Sequence, residues 1–487
     1  MMSMEGITSA WQKNQTKYHA ISEAECEKLI EASFRIMEEI GLQVLNAKSR
    51  DLLAEAGCTV EGDIVKIPAA LVKDAIATAP SECVLYDRNG NEAIRAGGTN
   101  TYFGNGPTNP SYNDFETGER RPSLRSDVAK SALVTDACPN VDFVMGLAQI
   151  SDCDQRIADV IELRELLANT TKPIVAWGNS PENFKAEVEM AAAVAGGIDK
   201  LREKPFLAIF PGCPITPLVI NEELCDKLEY GIEVGLPIIW PTGPQPGSTA
   251  PVTTAGAISM GLAEVFVGLV LSQLMKKGSV FVGGCVVVGV DMATSQSSYG
   301  TPEHCLGESI VADIFHYLDL PMFQTAGVTD SKLVDEQSAI EVSMAVISNV
   351  LSGGHMVHDV GFMDSAMSAS LEQVVLCDEI IGYARRIGRG IEINDETLAF
   401  EAIKEIGPGG QFLTHPHTFM NLRSELWFPT LMDHRSYQSW ILDPTDMRTR
   451  VRRKTAEILA NHQPQPLTDE VLAELDAILK AREAALD

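Results

Sequence analysis

Pro173-Ile-Val-Ala-Trp177, Phe206-Leu-Ala-Ile-Phe210 and Pro237-Ile-Ile-Trp-Pro241 are short apolar runs, each followed by a longer amphipathic segment. The same unit recurs on both sides. Further runs open at Thr101 (TYFGNG), Val141 (VDFVMGLA), Val280 (VFVGG), Pro321 (PMFQT) and His355 (HMVHDVG), so eight runs start 31 to 43 residues apart. That interval is one strand and one helix. Pro173, Pro237 and Pro321 stand at strand entrances, where a missing N–H costs little. Eight such units predict an α/β protein of the (β/α)8 barrel type, whose chemistry sits at the C-terminal ends of the strands.

A bare barrel needs about 250 residues, and this chain has 487. The surplus divides it into an N-terminal α/β cap (1–98), a barrel catalytic domain (99–390) and a C-terminal helical extension (391–487). In the cap, Ser22 and Glu25 form a capping box, and Cys26, Leu29, Ile30, Phe34, Met37 and Ile40 mark one helix face. Arg88-Asn89-Gly90-Asn91 reads as a hairpin turn. The segment Glu336–Leu351 carries Ile340, Met344, Ile347 and Leu351 at helical spacing. The extension includes the aromatic and His-rich segment QFLTHPHTFMNLRSELWFP, from Gln411.

Hydrophobic residues make up 45% of the chain, enough for a large core. A formal charge of −29 opposes nucleic acid and anionic membrane surfaces. The opening MMSMEGITSAWQKNQ has no apolar signal core, and Ala255–Met275, although apolar, carries Glu264, Ser272 and Gln273 and reads as a buried helix. Ten cysteines without CxxC pairs fit a reduced, cytoplasmic chain.

The run ends supply the candidate chemistry: Tyr102, Asn105, Gln149, Trp177, Phe210, Trp240, Cys285, Gln324, His355 and His358. Two of only five tryptophans fall there. An aromatic-lined mouth suits a quaternary ammonium group through cation–π attraction of roughly 0.5–2 kcal/mol per ring; the alternative is that each ring fills the barrel rim. His355 and His358, three apart on a strand, face opposite sides, so one enters the mouth and no shared metal site is expected. His415-x-His417 lacks a third ligand, and no GxxxxGK[ST] loop occurs. Thr329-Asp330-Ser331-Lys332 either positions substrate or forms a surface ion pair. Glu308 either reaches the mouth or lies on a wet helix face. Gly247–Thr253 either lets backbone approach a ligand or makes a capped turn.

Three segments, Gly243–Glu264 (GPQPGSTAPVTTAGAISMGLAE), Pro321–Glu341 (PMFQTAGVTDSKLVDEQSAIE) and Gly361–Ile380 (GFMDSAMSASLEQVVLCDEI), together with FPTLMDHRSYQSW at Phe428–Trp440, resemble the trimethylamine methyltransferase superfamily of corrinoid-dependent enzymes. The resemblance implies a barrel that passes a methyl group from an amine to Co(I) of a cobalamin held by a separate corrinoid protein. Trimethylamine enzymes of that family carry pyrrolysine, which this chain lacks. The chain is therefore similar to the non-pyrrolysine branch, typified by glycine betaine methyltransferase, and a quaternary amine such as glycine betaine, proline betaine or carnitine is the expected substrate. Strand-end position nominates Tyr102, Trp177 and Trp240 for the cation, and Asn105, Gln324 and His358, with His355 as the alternative histidine, for polar contacts. No DxHxxG corrinoid motif is present, so the cobalamin arrives on the partner, for which the aromatic C-terminal segment is a candidate docking surface. A homo-oligomer is expected. The rival readings are a betaine-binding barrel without catalysis and a barrel lyase or isomerase.

Overall fold

The computed structural model describes residues 17–486; the opening segment read above for a signal sequence lies outside them. Seven ring strands are β1 (Tyr102–Asn105), β2 (Ile174–Trp177), β3 (Leu207–Phe210), β4 (Ile238–Thr242), β5 (Phe281–Cys285), β6 (Phe323–Thr325) and β7 (Met356–Val360). An extended segment around Phe143 and Val144 fills the place between β1 and β2 through the parallel bridges Gly104–Phe143 and Val144–Ile174. β2, β3, β4 and β5 pair in sequence order, all parallel. Gly283–Met322 joins β5 to the start of β6. β6 pairs with β7 and β7 with β1, again parallel. Followed around, the pairings return to the strand from which they began.

Alternation along each strand divides the side chains. Phe143, Val175, Ala208, Ile239, Val282, Phe323 and Met356 form a cluster inside the ring. The intervening residues meet the helices in two larger outer clusters. Those helices are α1 (Arg125–Ala137), α2 (Ala158–Asn169), α3 (Pro181–Ala195), α4 (Glu222–Val234), α5 (Thr254–Met275), α6 (Pro302–Tyr317), α7 (Glu336–Ser352) and α8 (Leu371–Gly388). Strands covered on both faces are apolar throughout, which is why their sequences read as unbroken hydrophobic runs.

The N-terminal residues do three things. The helix Glu23–Arg35 starts in the expected capping box and buries Cys26, Ile30 and Phe34, the last against Phe266 of α5. The apolar α5 is thus covered by protein, and Ile40, assigned to the same face, is instead exposed beyond the helix end. Leu42–Val44 pairs with Val219–Ile220, in the loop after β3, and braces that loop. The hairpin Cys83–Tyr86/Glu92–Ala96 turns where expected, and Asp87 accepts hydrogen bonds from the Asn89 and Asn91 N–H groups. Its Cys83, Leu85, Ile94 and Ala96 join the interior cluster and plug the ring where the strands begin.

After α8 come α9 (Phe400–Ile406), α10 (Pro416–Glu425), α11 (Tyr437–Trp440), α12 (Met447–Asn461) and α13 (Asp469–Ala484). α12 packs on α1 and α8, and α13 on α2 and α3. No residue of α9, α10 or α11 is buried. The helical spacing expected in α7 is present, but its core residues are Val342, Ala345, Val346 and Val350, while Ile340 and Met344 face outward.

Candidate active site

Of the seven nominated residues, the structure brings Trp177 and His358 to the mouth and sends five elsewhere. Tyr102 is the first residue of β1, packed with the plug hairpin, its hydroxyl bonded to the Arg95 backbone. His355 is at the same end. Its Nε2–H donates to the Gly98 carbonyl at 3.0 Å, and its Nδ1 accepts from the Met322 N–H at 3.2 Å. Burial holds its pKa down at about 3. Asn105 faces α1, donating to Thr135 Oγ1 at 2.7 Å and accepting from the Met145 N–H at 3.1 Å. Gln324 turns to α6 and donates to the Glu308 carbonyl at 2.6 Å. Trp240 is fully buried against α5, its Nε1–H donating to the Glu264 carbonyl at 3.1 Å. A Cβ on Gly268 would come within 2.4 Å of the Trp240 ring, so glycine there makes room for the indole. Strand-end position alone does not say which face a residue takes, and alternation puts these last three on the helix side.

What stands at the mouth is an aromatic set. Phe323 lies 6.2 Å from Phe143, 6.3 Å from Phe210 and 4.4 Å from the His358 ring, centroid to centroid. Trp177, the register partner of Phe210, ends β2. A cavity of about 170 Å³ opens here, lined by Trp177 and Phe210, by loop residues including Thr108 and Gly212, and by Lys227 of α4. Cys213 is exposed on the loop after β3. A larger cavity of about 240 Å³, lined in part by His19, His316 and His355, sits at the opposite end of the ring.

Asp359 is not among the run-end candidates, and regular alternation would point it away from His358. β7 loses register between Val357 and Val360, and Asp359 adopts a left-handed φ of 75°. A bulge of this kind re-aims a side chain. It places Asp359 and His358 side by side, Nε2 to Oδ1 3.3 Å. A Cβ on Gly106 would lie 2.1 Å from Asp359 Oδ1, so the carboxyl presses against bare backbone of the loop after β1. His358 Nδ1–H donates to the Gln324 carbonyl at 2.7 Å, with Thr325 Oγ1 at 3.1 Å. Burial raises the Asp359 pKa above the usual carboxylate range, against the opposing pull of His358 and Thr325.

Three more carboxyls stand behind the mouth, and each holds part of it. Glu162 of α2 accepts from Trp177 Nε1–H at 2.8 Å. Glu264 of α5 accepts from the Leu218 N–H at 2.7 Å and Thr216 Oγ1 at 2.9 Å. Glu308 of α6 accepts from the Thr325 N–H at 3.0 Å. Burial pushes their pKa values up to about 8, 7 and 8 respectively. Glu308 therefore lies neither in the mouth nor on a wet face.

Asp330 ties the loops after β5, β6 and β7 together, accepting from Ser298 Oγ, the Tyr299 and Gly300 N–H groups and Ser365 Oγ. Lys332 pairs with Asp364 at 3.3 Å on the surface, not with Asp330 as the ion-pair alternative had it. Gly247–Thr253 is a turn closed by the Gly247 N–H on the Ala250 carbonyl. His415 caps α10, its Nδ1 accepting from the His417 N–H at 3.1 Å.

Comparison with known proteins places this geometry. The profile described as trimethylamine methyltransferase matches residues 2–487. A trimethylamine methyltransferase of Desulfitobacterium hafniense is 30% identical over 465 residues, covering 95% of this chain and 93% of that one. A glycine betaine methyltransferase from another strain of that species is 30% identical over 468 residues, covering 96% and 97%. Among solved structures, the monomethylamine methyltransferase of Methanosarcina barkeri superposes with a TM-score of 0.51 at 14% identity, over 94% of this chain and 91% of that one, a likeness of fold.

Proposed function

The chain belongs to the trimethylamine methyltransferase family, and from that premise we propose that it moves a methyl group from a quaternary amine, a betaine or carnitine, to Co(I) of a corrinoid carried by a separate protein. In this reading the closed strand circuit is a (β/α)8 barrel (99–390) with a cap (1–98) and a helical extension (391–487). The ten free cysteines fit a cytoplasmic setting.

The observation that carries the proposal is the pairing of aromatic faces with one buried carboxyl at the mouth. Trp177 and Phe210 offer π-faces to a cation in a cavity whose wall also carries Glu223 and Lys227; at the same end of the ring the bulge turns Asp359 inward beside His358. A quaternary nitrogen already carries its charge. On transfer the C–N bond breaks, its electron pair stays on nitrogen, and a neutral tertiary amine leaves. The Co(I) electron pair forms the new Co–C bond. No general acid is required, so the protein's work is to hold one N-methyl in line and exclude water. Lys227, at the cavity wall, suits the carboxylate of a zwitterionic substrate. The cavity accepts a small amine and not a corrin ring, which fits an acceptor that docks from outside. Positive charge leaves nitrogen during transfer, so a moderate rather than exhaustive aromatic grip favours the transition state over bound substrate.

The raised carboxyls do not favour a lyase or isomerase: Glu162, Glu264 and Glu308 are held by hydrogen bonds behind the mouth rather than facing it. The test is methyl transfer to Co(I) cobalamin, free and protein-bound, followed by absorbance, with glycine betaine, proline betaine, carnitine and trimethylamine as donors. Turnover of one quaternary amine and none of trimethylamine is expected. Tight betaine binding with no transfer in the presence of the corrinoid protein would make the chain a binding module instead.

A further inference from the structure

The loop after β5 forms a hairpin, Gly289–Asp291 against Gln296–Ser298, and delivers Tyr299 just ahead of α6. The backbone at Tyr299 is clamped. Asp330 accepts from Ser298 Oγ and from the N–H groups of Tyr299 at 2.9 Å and Gly300 at 3.0 Å. The ring is held as well. It meets the His304 imidazole edge to face with centroids 5.5 Å apart, and His304 is fixed in turn by its Nδ1–H, which donates to the Val287 carbonyl at 2.8 Å.

Ring order says where the phenol goes. With the extended segment at Phe143–Val144 filling the place between β1 and β2, β2 and β3 stand opposite β6 and β7. Trp177 and Phe210 end the first pair. Tyr299 packs on the cluster that includes Ala326, just past β6, and Val360, the last residue of β7. Its phenol stands within electrostatic reach of Asp359 on β7 and of Cys213 on the loop after β3. Those two belong to opposite strands, so a side chain that reaches both lies over the mouth between them. No hydrogen bond from another described residue engages its hydroxyl.

A quaternary ammonium presents methyl or methylene groups on every side. One N-methyl must point out of the mouth for transfer, and the others need walls. Trp177 and Phe210 wall one side. On the other side Asp359 supplies charge, but a quaternary nitrogen has no N–H to give it. Charge attraction by itself does not separate such a cation from a metal ion or a protonated amine. A ring face beside the carboxylate does, because it meets the methyl groups. We propose that Tyr299 is a substrate contact, the aromatic wall that closes the amine site opposite Trp177 and Phe210 and fits it to a methylated cation. This inference rests on the quaternary-amine reading of the site.

Binding calorimetry on the full chain tests it. The probe is whichever of glycine betaine, proline betaine and carnitine binds the wild type most tightly, set against its isostere with carbon in place of nitrogen. Tyr299→Phe keeps the ring and should keep the wild-type Kd. Tyr299→Leu keeps bulk without a π-face. It should weaken the cation about 2- to 30-fold and the isostere by less, so that the preference for the charged form falls. In methyl-transfer kinetics the same variant should raise KM and keep kcat, since charge leaves nitrogen on the way to the transition state. Equal weakening of cation and isostere would mark Tyr299 as structural and overturn the proposal, as would a Tyr299→Phe variant as impaired as Tyr299→Leu. If none of the three amines binds the wild type, the quaternary-amine reading fails and takes this inference with it. Cation binding that Tyr299→Leu leaves unchanged overturns this inference alone.

Discussion

Trp177 and Trp240 end similar apolar runs yet do different work, and substitution should separate them. Trp177→Ala removes one ring from the mouth and its bond to Glu162. KM for the quaternary amine should rise about 2- to 30-fold, the worth of one cation–π contact, as read by methyl-transfer kinetics. Trp240→Ala leaves a cavity between β4 and α5. It should cost about 3–5 kcal/mol of stability, seen in denaturant unfolding, with KM of the folded protein unchanged. Asp359→Asn keeps the shape and removes the charge. A fall in kcat/KM of about 10- to 100-fold is expected, the scale of a charge-assisted contact. The same residue sets an acid limb. Its pKa is raised, so as pH falls the carboxyl protonates above the ordinary range and cation binding weakens. In Asp359→Asn that limb of the pH–kcat/KM profile should vanish. A limb that persists would place the titrating group elsewhere.

At the scale of the element, the β7 bulge is what makes Asp359 available. Its left-handed φ of 75° strains a residue with a Cβ. Asp359→Gly should therefore match or exceed wild-type stability while losing activity as Asp359→Asn does, a split that thermal melts and kinetics read together. The helices carry a second pH effect. Glu162 and Glu308 titrate near 8 because they are buried. The folded chain thus binds protons that the unfolded chain has released above about pH 4.5, so stability falls as pH rises from there to about 8. The double variant Glu162→Gln, Glu308→Gln mimics the neutral acids. Its melting temperature should drop less than that of wild type between pH 5 and 8, by a few degrees (about 2–5 °C). Equal slopes would mean that the two carboxyls are ionised in the fold.

For the whole molecule, the eight apolar runs carried the parallel ring because strands buried on both faces must be apolar throughout, and 31- to 43-residue spacing leaves room for one helix between neighbours. The plug hairpin belongs to this scale too. Leu85 is fully buried in the ring interior. Leu85→Ala should lower global stability by about 2–5 kcal/mol without changing KM at the far end, a comparison of unfolding curves and kinetics that tests whether the two ends of the ring act independently.

Local sequence determined where strands and helices fall, which helix starts are capped, which end of the ring should hold chemistry, and, by several segments in order, the family. Trp177 and His358 stand at the mouth, as their run-end positions suggested: Trp177 ends a regular strand, and His358 opens the β7 bulge. The rest required tertiary structure. Asn105, Gln324 and Trp240 face helices because register, set by packing between distant segments, selects the face. Tyr102 and His355 lie at the wrong end because an apolar run does not state how much of it is strand. Asp359 enters the mouth only through a bulge, which no period-two pattern encodes. Ile340 and Met344 have a core's periodicity and no core above them, because a helix pattern records that a face is apolar, and only the assembled fold decides whether its own chain covers it.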